Sequence, residues 1–186
     1  MRFRGIVLLT IMLGLFGWVE FSSASTFRAI PLSRLVKQSD LVVVATPIAF
    51  ECRWATVGTT QHLVTDFTLE VHWTLRGADI AGEDIVVRTL GGSWGTLGQI
   101  VHGEARLAIG QTSLLFLKRT SDNSLHVFGW GQGHYPVSID ANGEWRLATS
   151  PGLEGVLESQ LSAAKSLSNQ RLVEVRSLME ASEAEP

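Results

Sequence analysis

The stretch DFTLEVHWTL, residues 66–75, decides the fold class. Phe67, Leu69, Val71, Trp73 and Leu75 fall on one side of an extended chain; Asp66, Thr68, Glu70, His72 and Thr74 fall on the other. Side chains of a strand alternate between faces, so this period of two predicts a long strand with one wet face. Upstream, residues 40–50 read as a strand that opens on the solid apolar run Leu41-Val42-Val43-Val44, and Pro47 marks a bulge or edge position along it. The loop at residues 55–60, with Gly58, closes a hairpin between the two. Downstream, residues 84–90 form a third strand, and residues 113–117 (SLLFL), apolar throughout, predict one covered on both faces. Residues 125–129, 135–139 and 144–147 add short strands, with turns at residues 121–124 and at Asn142-Gly143.

Helical signals bracket this β region. Residues 31–38 predict a short helix, with Pro31 early and Leu32, Leu35 and Val36 on one side. From Leu153 the apolar spacing becomes helical: Val156, Leu157, Leu161, Ala164, Leu167, Leu172, Val175 and Leu178 recur at three and four residues. One or two amphipathic helices are expected there, breaking near Ser168-Asn169 and packing on the sheet, with residues 181–186 frayed. The expected fold is mainly β: a small five- to six-stranded barrel with a short N-terminal helix and a C-terminal amphipathic helix.

The 186 residues carry 15 Lys and Arg against 18 Asp and Glu, a net charge of −3, with 45% hydrophobic residues. No basic cluster supplies the footprint that phosphate backbones require, so nucleic acid is not an expected partner. Arg2 and Arg4 precede an apolar run at residues 5–19, and Ser22 and Ala24 occupy the small-residue positions of a cleavage after Ala24. That layout predicts a secretory signal at residues 1–24, too short in its apolar run for a permanent transmembrane anchor, and a periplasmic or secreted mature chain. Losing Arg2, Arg4 and Glu20 leaves 13 basic and 17 acidic residues, with a barrel domain at residues 25–150 and a helical segment at residues 151–186. With one cysteine, the exported chain closes no internal disulfide. Cys52 shares the phase of Phe50 and Trp54 and is expected to point with them toward a core as an inert thiol.

Catalytic equipment is sparse. Gly91 to Gly98 (GGSWGTLG) is followed by Gln99 rather than the Lys and Ser/Thr of a phosphate loop, and is expected to be an irregular loop. His102-Gly103-Glu104 matches half of a zinc deaminase signature without its cysteine half. The histidines, His62, His72, His102, His126 and His134, show no metal-ligand spacing, so neither metal nor cofactor is expected. Asp66, Glu70 and His72 share a strand face, where acid/base chemistry is conceivable and a solvated face is the expected state. Trp94 and Trp130, each in a glycine-rich segment, are the candidate contact residues, together with Gly91, Gly92 and Gln132.

Three segments carry a family resemblance: Ser39-Asp40-Leu41-Val42-Val43, the alternating strand ending in Leu75-Arg76-Gly77, and residues 110–117 (GQTSLLFL). In this order, with a Gly-rich stretch before the last, they resemble the netrin-like modules and the N-terminal domain of tissue inhibitors of metalloproteinases, over residues 32–137. The chain is also similar to uncharacterised exported bacterial proteins sharing the Gly-rich and LLFL segments. The resemblance implies an OB-type five-stranded barrel. The inhibitors chelate the protease zinc through a Cys-Xaa-Cys at the mature N-terminus, whereas the expected mature start here is Ser25-Thr26-Phe27, so no inhibitory residue carries over. These observations together lead to the expectation of a non-enzymatic exported module that binds another envelope or secreted protein, a protease among the classes of partner. The alternatives are a structural component of a cell-envelope assembly for surface motility or adhesion, and a small hydrolase using Cys52, His72 or Glu70.

Overall fold

The computed structural model describes residues 28–153 and 162–184. The expected signal segment at residues 1–24 and part of the expected C-terminal helix, residues 154–161, lie outside the described residues. Helix α1 (Leu32–Gln38) leads into two 17-residue strands, β1 (Leu41–Val57) and β2 (Thr60–Arg76), joined through Gly58 and Thr59. The expected loop at residues 55–60 is therefore mostly strand: pairing continues to Val57 opposite Thr60, and Gly58 supplies the positive φ that so tight a reversal needs. Strand β3 (Asp84–Leu90) has the bounds its sequence suggested. The glycine-rich stretch, expected as a loop, is a small hairpin, β4 (Gly92–Trp94) and β5 (Leu97–Gln99). Strands β6 (Ser113–Arg119), β7 (Leu125–Val127), β8 (His134–Ile139) and β9 (Trp145–Leu147) follow, then α2 (Ala163–Leu167) and α3 (Val175–Ala184). The described residues thus hold nine strands rather than five or six. The break at Ser168-Asn169 is present, with Asn169 at φ 64°, but α3 remains helical through Ala184, past the point of expected fraying.

The principal sheet is a pairing cycle. β1 pairs with β2, β2 with β3, β3 with β7 in parallel, β7 with β6, and β6 returns to β1. β8 pairs with residues 113–115 of β6, on the edge that β7 takes at residues 117–119, and β9 pairs with β8. Alternation along β1 and β6 sorts apolar side chains into two cores. Leu41, Val43, Ala45, Leu115 and Leu117 join Leu69, Val71, Val87, Leu125 and Val127 in one cluster. Val42, Val44, Leu114 and Phe116 join Leu35 of α1, Leu167 of α2, and Val175 and Met179 of α3 in the other. The solid apolar runs are explained by this double covering; each fully buried Leu, Val or Phe contributes about 1.5–3 kcal/mol.

Three register shifts in the β1–β2 pair, at Ile48, His72 and Leu75, revise the pattern read from sequence. At Pro47 the register slips past Ile48, as the proline suggested. On β2, His72 is an extra residue between Val71 opposite Ala45 and Trp73 opposite Val44, and it reverses the alternation. Leu69 and Val71 face one core, whereas Leu75 packs against the other and Trp73 is 48% exposed, its ring edge-on to Trp145 at 5.7 Å. The far half of the β1–β2 hairpin also departs from expectation. Phe50 and Trp54 are exposed, whereas Cys52, on the same face between them, is half-buried because β4 reaches it.

Candidate functional site

Phe128 to His134 (FGWGQGH) connects β7 to β8 through a 3-10 turn at Trp130–Gly133. Three contacts hold this turn in place. The Phe128 N–H donates to the Phe116 carbonyl at 2.7 Å, the Gly131 N–H donates to the Gly103 carbonyl at 2.8 Å, and Gly133 lies so close to Phe128 that a Cβ there would stand 2.1 Å from the Phe128 carbonyl oxygen. Gln132 is buried. Its Oε1 accepts from the Ile30 N–H at 2.7 Å and its Nε2 donates to the Arg28 carbonyl at 3.2 Å, which fastens the N-terminal segment beside the turn. Trp130 is held at φ 63° and is 42% exposed. A bulky side chain in left-handed backbone costs on the order of 1–3 kcal/mol and persists only where its surroundings over-determine it.

Trp130 stands between two clefts. The first, about 440 Å³, is lined by Arg28, Ile30, Arg34, Lys118, Phe128 and Trp130. The second, about 540 Å³, is lined by Thr56, Leu90, Glu104, Asp122, His126 and Trp130. Their electrostatics differ. In the first, the Lys118 ammonium lies 5.2 Å from the Phe128 ring centroid, a cation–π distance, and Arg28, Arg34 and Lys118 form no ion pair among the described residues. In the second, the carboxylates already have partners. Glu104 accepts from the backbone N–H of Leu90 at 3.1 Å and of Ala105 at 3.0 Å, and burial raises its pKa above the ordinary value despite those bonds. Asp122 accepts from the hydroxyls of Thr120 and Ser124 and from Arg88, and these donors hold it well below the carboxylate range. Burial, and then the charge of Arg88, pushes His126 below the usual imidazole value.

A row of charged side chains set by strand register runs into the clefts: Asp66 of β2 lies opposite Arg88 of β3, Arg88 opposite His126 of β7, which lines both clefts, and His126 opposite Lys118 of β6, which lines the first. Burial works against the Asp66 charge, but hydrogen bonds from Arg88 and Arg53 prevail and lower its pKa. Asp66 is therefore engaged with arginines, while His72 bonds Thr46 Oγ1 through Nε2 at 2.7 Å and Glu70 is exposed. The strand-face trio is not assembled into an acid/base unit. Cys52 opposes Thr65, five residues along β2 from Glu70 or about 17 Å at the ordinary rise per residue, so these groups do not converge either. His134 is buried between Ser113 and Ser150, and among the described residues no three His, Cys, Asp or Glu side chains group as metal ligands.

Of the sequence-named contact residues, Trp94 is 51% exposed on β4 and lines neither cleft. Gly91 is buried, its N–H on the Leu63 carbonyl, and Gly92 is pressed against Thr65 and Cys52. Arg28, Arg34, Lys118 and Phe128 escaped the sequence reading, since they come from three separate segments with no shared motif. The end of the apolar run at Leu117 was the one legible signal, placing Lys118 at the first polar position after it. No family model matches the chain, and comparison with curated proteins also finds no match.

Proposed function

We propose that this protein is an exported, non-enzymatic module that binds another envelope or secreted protein, built on an OB-type barrel of netrin-like character, with proteases among the classes of partner. The pairing cycle β1-β2-β3-β7-β6 and its enclosed apolar cluster support the barrel reading, an architecture that presents loops and one strand face to ligands. The observation that carries the binding reading is Trp130: an indole displayed from strained left-handed backbone, braced on both sides, at the junction of two clefts. Tryptophan anchors contribute disproportionately to protein interfaces.

The test compares the tagged wild-type protein with Trp130→Gly in affinity capture from envelope and culture-fluid fractions. Glycine tolerates the backbone while removing the indole. A stoichiometric partner retained by the wild type and reduced about tenfold or more by Trp130→Gly is expected. Equal retention by both proteins, or no partner for either, overturns the reading.

A further inference from the structure

Beyond the module reading, on which it rests, we infer that the 440 Å³ cleft receives a carboxylate-bearing segment of a partner polypeptide, with acidic side chains against Arg28, Arg34 and Lys118 and an apolar neighbour against Phe128 and Trp130. The first ground is uncompensated charge. Every arginine of the Asp66 row and of the Asp140–Arg146–Glu144–Arg171 network is ion-paired, whereas the three cations of this cleft have no carboxylate among its lining residues and no ion pair among the described ones. In a chain of net charge −3, that concentration is local and one-signed.

The second ground is geometry. Arg34 projects from α1, Arg28 from the segment fastened by Gln132, and Lys118 from β6, so three separately anchored elements converge on one concavity. Lys118 already rests over Phe128, which keeps the ammonium beside an apolar floor completed by Ile30. A floor of this kind with charged walls suits a peptide that alternates acidic and apolar side chains. A polyphosphate or sulfated chain instead calls for a longer basic track, and the next cleft along is lined by Glu104 and Asp122.

The experiment measures anisotropy of a fluorescein-labelled twelve-residue peptide of alternating Glu and Leu, and of its Gln-Leu counterpart, with the purified protein. Binding of the Glu peptide about tenfold or more tighter than the Gln peptide is expected, weakening with added salt. Arg34→Glu and Lys118→Glu, on different elements and each checked for native circular dichroism, should each weaken it about tenfold. Equal binding of the two peptides, or full binding by both charge-reversed variants, overturns the inference. Tighter binding of a heparin dodecasaccharide or a twelve-residue oligothymidylate than of the Glu peptide also overturns it. Should the peptides fail while a partner is still captured through Trp130, the module reading stands and only the acidic occupant falls.

Discussion

The Asp66 carboxylate on β2 is held from opposite sides by Arg88 on β3, at 2.6 and 3.0 Å, and by Arg53 on β1, at 2.8 and 3.0 Å. Asp66 and Arg88 are only 15% and 14% exposed, so one shielded carboxylate ties three strands together on the outer face.

Removing that carboxylate leaves two guanidinium groups facing each other. Asp66→Asn should cost about 1.5–3 kcal/mol, read as a lower urea midpoint with unchanged slope. The pH dependence follows in sign. The folded pKa lies below the ordinary 3.8, so the stabilisation is full above 3.8 and is lost as pH falls through the folded value. The variant should lack that acid-side loss; an unchanged acid profile would remove Asp66 as its source.

His134 also loses stability toward acid, but because burial favours its neutral form. Its Nε2 lies 3.1 Å from Ser113 Oγ and its Nδ1 3.1 Å from Ser150 Oγ, and burial pushes its pKa down from 6.5 to about 4. The unfolded chain takes up the proton first, so stability is full above 6.5 and falls toward 4, by on the order of 3 kcal/mol across the window. Equilibrium unfolding of His134→Asn should show a flatter profile there. A wild-type profile without any decline below 6.5 would contradict the assignment.

Tyr135 is fully buried, its ring edge-on to Phe116, and its hydroxyl has no hydrogen-bond partner among the described residues. An unsatisfied buried hydroxyl carries a desolvation cost without a compensating bond. Tyr135→Phe should therefore be neutral or stabilising by about 1 kcal/mol in thermal unfolding. A loss of stability of similar size would mean the hydroxyl has a partner.

Gly92, at φ 136°, would place a Cβ 2.4 Å from Thr65 Oγ1 and 2.6 Å from Cys52 Sγ. Gly92→Ala should cost about 2–4 kcal/mol through this clash and backbone strain together. Adding Cys52→Ala should recover part of the loss, a coupling measurable in a double-mutant cycle. Strict additivity would show that Cys52 does not form the floor beneath β4.

The β-rich architecture was legible wherever the deciding forces are local. The alternation at Phe67, Leu69 and Val71, the apolar run at residues 113–117 and the proline at position 47 each encode strand, double covering and bulge within a few residues. Trp130 could likewise be singled out as an aromatic set among glycines. What lay beyond the sequence depends on contacts between distant segments. The extra residue at His72 turns Trp73 outward only because β1 imposes its own register, and Phe50 and Trp54 remain exposed because β4 meets their face at Cys52. The cationic cleft exists only once Gln132 fastens residues 28–30 beside the turn and β6 brings Lys118 against Phe128. Periodicity reports which side of its own element a residue occupies; which other element meets that side is decided by packing across the whole chain.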